Sequence, residues 1–183
     1  MEQRSFEITE LELPGVLLIQ SKRFADARGF FMETFHQEEL ATVGIKQSFV
    51  QDNLSSSKKN VLRGLHFQKH PYAQAKLVRC VSGEIYDVVV DHNPDSATFG
   101  IHIAVTLSGD TQSMLYIPAT YAHGFCVLSD EALVEYKVDN YYHPESAYGV
   151  RYNDPVFDIA WPVRDPILSE QDVKWPLLTS LQD

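Results

Sequence analysis

Between residues 61 and 138 the chain is a succession of short apolar runs, at 61–67, 76–81, 85–91, 101–107, 113–117, 124–128 and 133–138, each the length of a β-strand. The segments between them are rich in turn formers, such as His92-Asn93-Pro94-Asp95-Ser96 and Ser108-Gly109-Asp110. Many short strands with close turns and almost no helix point to an antiparallel sandwich or barrel rather than alternating β and α units. No repeat of fixed period is visible.

The flanking segments fit the same picture. Residues 6–20 read as strand interrupted by the Pro14-Gly15 turn, and 24–33 places Arg28 and Gly29 in a turn before an aromatic stretch ending at Glu33. A short helix is expected over 36–43, where Gln37, Glu38, Glu39, Leu40 and Ala41 are good helix formers and Gly44 ends it. Residues 49–54 return to strand, and 55–60, three serines followed by Lys58, Lys59 and Asn60, read as an exposed loop. After Tyr142 the prolines 144, 155, 162 and 166 loosen the pattern, leaving a helical turn within 167–172 with Ser169 as its N-cap. Trp161 and Trp175 read as packing residues. At 183 residues, with no composition break, one domain spanning 1–183 is expected.

Composition narrows the function. The net charge of −10 argues against a nucleic-acid or anionic-membrane surface, which needs a broad basic face. Only 15 lysines and arginines are available to bind a small anion, so a basic residue inside an apolar strand is informative. Cys80 and Cys126 lie in apolar runs without metal-ligand spacing and read as core thiols of a reducing compartment. With no signal-peptide pattern and no membrane-length apolar run, the cytoplasm is expected.

Arg63, His66 and Lys76 stand out because each sits in a segment otherwise suited to burial. A charged group there must be paired, line a wet cavity or face solvent. His66 is either satisfied by a backbone carbonyl or a general base oriented by a carboxylate, for which Asp87, Asp91 and Asp172 are candidates. Lys76 and Arg63 either face water or stabilise negative charge developing on an oxygen. Tyr136 shares the parity of Val134 and Val138, so it is a core phenol or a general acid. His123 invites a metal, but no His-x-His pair precedes it, and Phe67 and Gln68 occupy the place of a second ligand, so no metal is expected. Strand parity adds a condition: in a regular strand Arg63 and His66 face opposite sides, so a shared cavity requires a bulge, expected at Gly64.

Several blocks in order, RGFFME (28–33), FVQDN (49–53), LRGLHFQ (62–68), AKLV (75–78), GEIYDVVVD (83–91), AHGF (122–125), Tyr141-Tyr142, NDP (153–155) and LSEQD (168–172), resemble the dTDP-4-dehydrorhamnose 3,5-epimerases. The resemblance implies a cupin-like jelly roll, all-β and antiparallel with short peripheral helices, and a cofactor-free epimerase acting on a dTDP-4-dehydro-6-deoxyglucose-type nucleotide sugar. It implies His66 as base, Lys76 as partner of the enolate oxygen, Tyr136 as acid and Asp172 as orienter of His66. Arg28, Glu33, Gln51, Asn53, Arg63 and His123 would contact the nucleotide sugar, and Tyr142 would stack on the base. It also implies a homodimer whose amino-terminal segments reach the neighbouring site. Two positions depart from the family pattern, Ala147 in place of a nucleotide-contacting Glu and Gln171 in place of a Lys. The competing expectations are an epimerase acting at C3 or C5 alone or on another nucleotide sugar, and a non-catalytic sugar-binding cupin.

Overall fold

The computed structural model describes residues 5–178. In chain order the strands are β1 (Phe6–Glu10), β2 (Leu17–Ser21), β3 (Arg23–Asp26), β4 (Gly29–Met32), β5 (Gln51–Lys58), β6 (Leu62–Gln68), β7 (Lys76–Ser82), β8 (Glu84–Val90), β9 (His102–Ser108), β10 (Met114–Ile117), β11 (Ala122–Val127), β12 (Glu131–Val138) and β13 (Ala147–Gly149). Helix α1 (Gln37–Thr42) precedes β5, and α2 (Glu170–Lys174) lies near the carboxyl end. One sheet has the order β1-β2-β10-β7-β12-β5, a second β13-β6-β11-β8-β9, and β3 pairs with β4 alone. The two larger sheets form the expected antiparallel jelly-roll sandwich.

Alternation along each strand decides what lies between the sheets. Val78, Cys80, Leu115, Ile117 and Val134 come from the first sheet and meet Ile85, Val89, Ile103, Phe125 and Val127 from the second. Both cysteines are buried free thiols. The outer face of the first sheet is covered by Leu40 and Ile45, which pack on Leu17, Ile19, Leu77 and Met114. His36 caps α1 by accepting from the Glu39 N–H at 3.3 Å, Glu38 and Glu39 favour its positive end, and Gly44, at φ +99°, reverses the chain after it. The outer face of the second sheet is covered by the tail, with Val150, Phe157 and Leu178 against Leu65, Val88 and Val90. Among the described residues no helix is long and apolar enough to cross a membrane.

One segment differs from the sequence reading. Residues 55–58, expected in a loop, belong to β5, which pairs with β12 from Glu131↔Lys58 to Val138↔Gln51. Serine has little strand preference, so the pairing partner sets the conformation here. The consequence is functional, because Gln51, Asn53, Ser55 and Ser57 then share the inward face with Tyr136. At this side of the sandwich the apolar core gives way to a polar, part-exposed recess.

The expected bulge is present. Across the β6–β11 pair His66 faces His123 and Arg63 faces Phe125, so Gly64 and Leu65 together oppose Gly124. The extra residue restores the parity of Arg63 to that of His66, and both turn inward with His123 and Phe125. The Gly64–Leu65 peptide is cis. Gly64 has φ +143°, and a Cβ added to it would lie 2.6 Å from the Gly124 Cα. Gly64→Ala is therefore expected to destabilise the protein by about 2–3 kcal/mol through backbone overlap and a disfavoured φ. In a chain of this size that lowers Tm by about 5–10 °C. An unchanged melting temperature would show that β6 and β11 can separate at no cost.

Candidate active site

The recess lies between the β5–β12–β7 side of one sheet and the β6–β11–β8 side of the other. His66, at the end of β6 beyond the bulge, keeps 42% of its side chain exposed, whereas Asp172 on α2 keeps 4%. His66 Nε2 meets Asp172 Oδ1 at 2.5 Å. Ser169, the expected N-cap of α2, donates its hydroxyl to Asp172 Oδ2 at 2.8 Å and accepts from the Asp172 N–H at 3.1 Å. Burial raises the Asp172 pKa, but the hydrogen bonds from His66 and Ser169 and the nearby imidazole outweigh it, so the carboxyl lies below its ordinary value. An ionised Asp172 accepts the Nε2 proton of His66, which leaves Nδ1 as the free lone pair. Of the candidate carboxylates, Asp172 is the one bonded to His66.

Asp91 closes its own loop instead, accepting from the Ser96 and Thr98 hydroxyls at 2.5 and 2.6 Å and from the Asn93 N–H at 3.0 Å. Asp87 serves the other histidine. It is fully buried, and both its oxygens lie 2.9 Å from His123 Nε2. Burial lowers the His123 pKa despite Asp87, so His123 is neutral near pH 7 and donates Nε2–H to that carboxylate. This histidine pair was not legible from the sequence beyond the inward parity of Asp87 with Ile85 and Val89.

Lys76 opens β7 with 9% exposure and donates to the His66 backbone carbonyl at 2.9 Å. Burial pushes its pKa down to about 8, with the Asp87 charge holding it up. A lysine in this state is a cation at neutral pH that has been stripped of most of its water. On β12, Tyr136 pairs with Val78 and Asn53. Burial raises its pKa and the Arg63 charge partly offsets this, so the phenol is protonated near neutrality. Arg63 is exposed at the rim, with Nε donating to Ser57 Oγ at 3.0 Å. Gln51 donates to Asn53 Oδ1 at 2.8 Å on the same inward face of β5.

Tyr142 is 58% exposed, and its backbone N–H donates to Gln51 Oε1 at 3.1 Å. Ala147, the first residue of β13, pairs with Gln68 of β6 beside the same loop. Arg28 and Glu33 are not drawn into this recess within the chain. Arg28 forms an exposed ion pair with Asp26 in the β3–β4 turn, and Glu33 accepts from the Ser5 hydroxyl. Sequence reading passed over Ser169 as the second anchor of Asp172, Gly124 as the partner of the bulge, and the tie from Lys76 to the His66 carbonyl. The capping pattern Ser-x-x-Asp signalled the first, and the other two depend on pairing that no local pattern reveals.

The arrangement combines a half-exposed imidazole oriented by a carboxylate, a desolvated ammonium and a protonated phenol. Such a set can remove and return a proton next to a carbonyl while its oxygen becomes anionic. The family model for dTDP-4-dehydrorhamnose 3,5-epimerase matches residues 10–180. A dTDP-4-dehydrorhamnose 3,5-epimerase of Shigella flexneri is 50% identical over 167 residues, covering 91% of this chain and 92% of the relative. The crystal structure of dTDP-4-dehydrorhamnose 3,5-epimerase from Bacillus anthracis str. Ames, with TDP and PPi bound, has a TM-score of 0.92 at 44% identity and covers 94% of this chain and 99% of that one. The dTDP-6-deoxy-D-glucose-3,5-epimerase from Legionella pneumophila Philadelphia 1, in complex with dTDP-4-keto-L-rhamnose, has a TM-score of 0.91 at 42% identity, covering 95% and 93%. Sequence and fold agree over nearly the whole chain, and this isomerase belongs to the dTDP-4-dehydrorhamnose 3,5-epimerase family.

Proposed function

We propose that the protein inverts C3 and C5 of a dTDP-4-dehydro-6-deoxyglucose-type nucleotide sugar, giving dTDP-4-dehydro-L-rhamnose. The observation that carries this reading is the His66–Asp172 pair set beside the buried ammonium of Lys76. Both carbons flank the C4 ketone, so their protons are acidified by the same carbonyl. His66 Nδ1 takes the proton, and Asp172 stabilises the imidazolium that forms. The electrons of the broken C–H bond move to the C4 oxygen, where Lys76 balances the charge. Tyr136 delivers a proton to the opposite face of the same carbon, and its phenolate is stabilised by Arg63. No hydride carrier or metal is required for this sequence of steps.

The remaining residues bind. Arg63 suits the diphosphate, because a guanidinium fork meets phosphate oxygens in pairs. Gln51, Asn53 and His123 face the sugar, and Tyr142 offers its exposed ring to the base. Arg28 and Glu33 act in the site of a second copy. The β3–β4 hairpin that carries Arg28 exposes Phe24, Phe30 and Phe31 at 49, 47 and 66%, an aromatic surface suited to a partner subunit in a homodimer. We treat residues 1–183 as one catalytic domain working in the cytoplasm, where free thiols such as Cys80 and Cys126 persist.

NMR of the 4-keto nucleotide sugar in D2O tests the chemistry directly. Deuterium is expected at both C3 and C5 with the wild-type enzyme and at neither with His66→Asn. Exchange at C3 or C5 alone would establish a single-carbon epimerase, and exchange independent of His66 would remove the base assignment. Asp172→Asn is expected to lower kcat by about 10²–10⁴-fold with the fold intact, since the imidazole loses both its orientation and its counter-charge. Retention of full kcat would remove Asp172 from the mechanism.

The Lys76 pKa gives a sign to the pH dependence. The cation is present below about pH 8 and is lost as pH rises through that value, so kcat is expected to fall on the alkaline side with a midpoint near 8. Lys76→Gln should lose about 10²–10³-fold in kcat at pH 7. A rate that is flat from pH 7 to 9 would rule out a required ammonium of this pKa.

A further inference from the structure

Residues 140–143 present two exposed rings, Tyr141 and Tyr142, on backbone that is neither strand nor helix. Each residue of this short segment nevertheless has a backbone hydrogen bond to a glutamine side chain. Gln74 donates to the Asn140 carbonyl at 2.7 Å. Gln68 donates to the Tyr141 carbonyl at 3.1 Å and accepts from the His143 N–H at 2.7 Å. Gln51 accepts from the Tyr142 N–H at 3.1 Å. Gln68, the last residue of β6, is 5% exposed and also donates to the Tyr72 carbonyl at 2.6 Å. The Tyr72 ring stacks on His143 with centroids 3.6 Å apart.

A primary amide is well suited to this position, because it donates and accepts at once and can hold a carbonyl and an N–H two residues apart. An irregular segment without such bonds would be ordered only when ligand binds, and that cost would reduce affinity. We propose that Gln68 and Gln74, with Gln51, form a clamp that orders residues 140–143 in advance, making Gln68 a positioning residue for Tyr142 and for nucleotide affinity. The proposal rests on the assignment of Tyr142 as the ring that stacks on the base. Because Gln68 lies two positions after His66 on β6, the clamp also ties the nucleotide end of the site to the strand that carries the base.

The test uses Gln68→Leu, Gln68→Glu, Gln74→Leu, Tyr142→Ala and the double variant Q68L/Y142A in the full chain. Amide hydrogen exchange at residues 142 and 143, the affinity for dTDP by calorimetry, and kcat at saturating nucleotide sugar are measured. Gln68→Leu is expected to speed exchange and to raise Kd for dTDP, each by about tenfold, with kcat within about twofold of wild type. Gln68→Glu, which keeps the acceptor but loses the donors, should show the same direction of change. The double variant should bind dTDP no more weakly than Tyr142→Ala alone, because Gln68 acts through that ring.

Unchanged exchange, additive losses in the double variant, or a fall in kcat at constant Kd would each overturn the clamp. Full affinity in Tyr142→Ala would overturn the base-stacking assignment instead, and the clamp would then stand or fall on the exchange result. If replacement of the buried Gln68 prevents folding, the part-exposed Gln74 supplies the readout, with rises of about threefold in exchange and Kd expected.

Discussion

Two glycines set back to back, Gly64 in β6 and Gly124 in β11, govern which side chains meet between the sheets. Their backbones approach so closely that a Cβ on either would overlap the other strand. The residue added to β6 at this point changes the phase of everything before it, and Arg63 turns to the side that His66 already faces. The guanidinium and the imidazole then share one recess. Much of the rest of the site depends on that phase, since Lys76 bonds to the His66 carbonyl and Arg63 lies close enough to Tyr136 to influence its ionisation.

The recess also works against the charge of the chain as a whole. The chain carries a net charge of −10, yet two of its 15 lysines and arginines, Lys76 and Arg63, lie at this recess. Burying Lys76 costs hydration, which Asp87 offsets only in part at the depth of the core. The same aspartate keeps His123 oriented while burial keeps that ring neutral. His66 has the opposite setting, with its carboxylate held on α2 and its own ring open to the recess. Two histidines paired across neighbouring strands thus differ in accessibility because their partners come from different layers of the fold.

The architecture was legible because the strand runs and turn clusters are local signals, as was the cap at Ser169, whose hydroxyl now fixes Asp172. The bulge was legible by a different route. Parity made Arg63 and His66 incompatible in a regular strand, and Gly64 was the residue able to resolve the conflict. Residues 55–58 were misread because serines and lysines adopt strand geometry only when a partner such as β12 imposes it. Asp87 could not be assigned to His123, since that choice depends on the pairing of β8 with β11 rather than on spacing along the chain. Arg28 and Glu33 bond to Asp26 and Ser5 rather than to residues of the recess, and spacing along the chain does not encode that choice.

The bond from Lys76 to the His66 carbonyl has a mechanical consequence. The ammonium of Lys76 is bonded to the backbone carbonyl of His66, although the two side chains originate in different sheets. Sliding of one sheet over the other would ordinarily change the separation of groups mounted on each. Here the cation reaches across the gap from β7 and ends on the β6 backbone in a 2.9 Å hydrogen bond. The spacing between cation and imidazole is therefore set by a direct bond as well as by the packing of the two sheets.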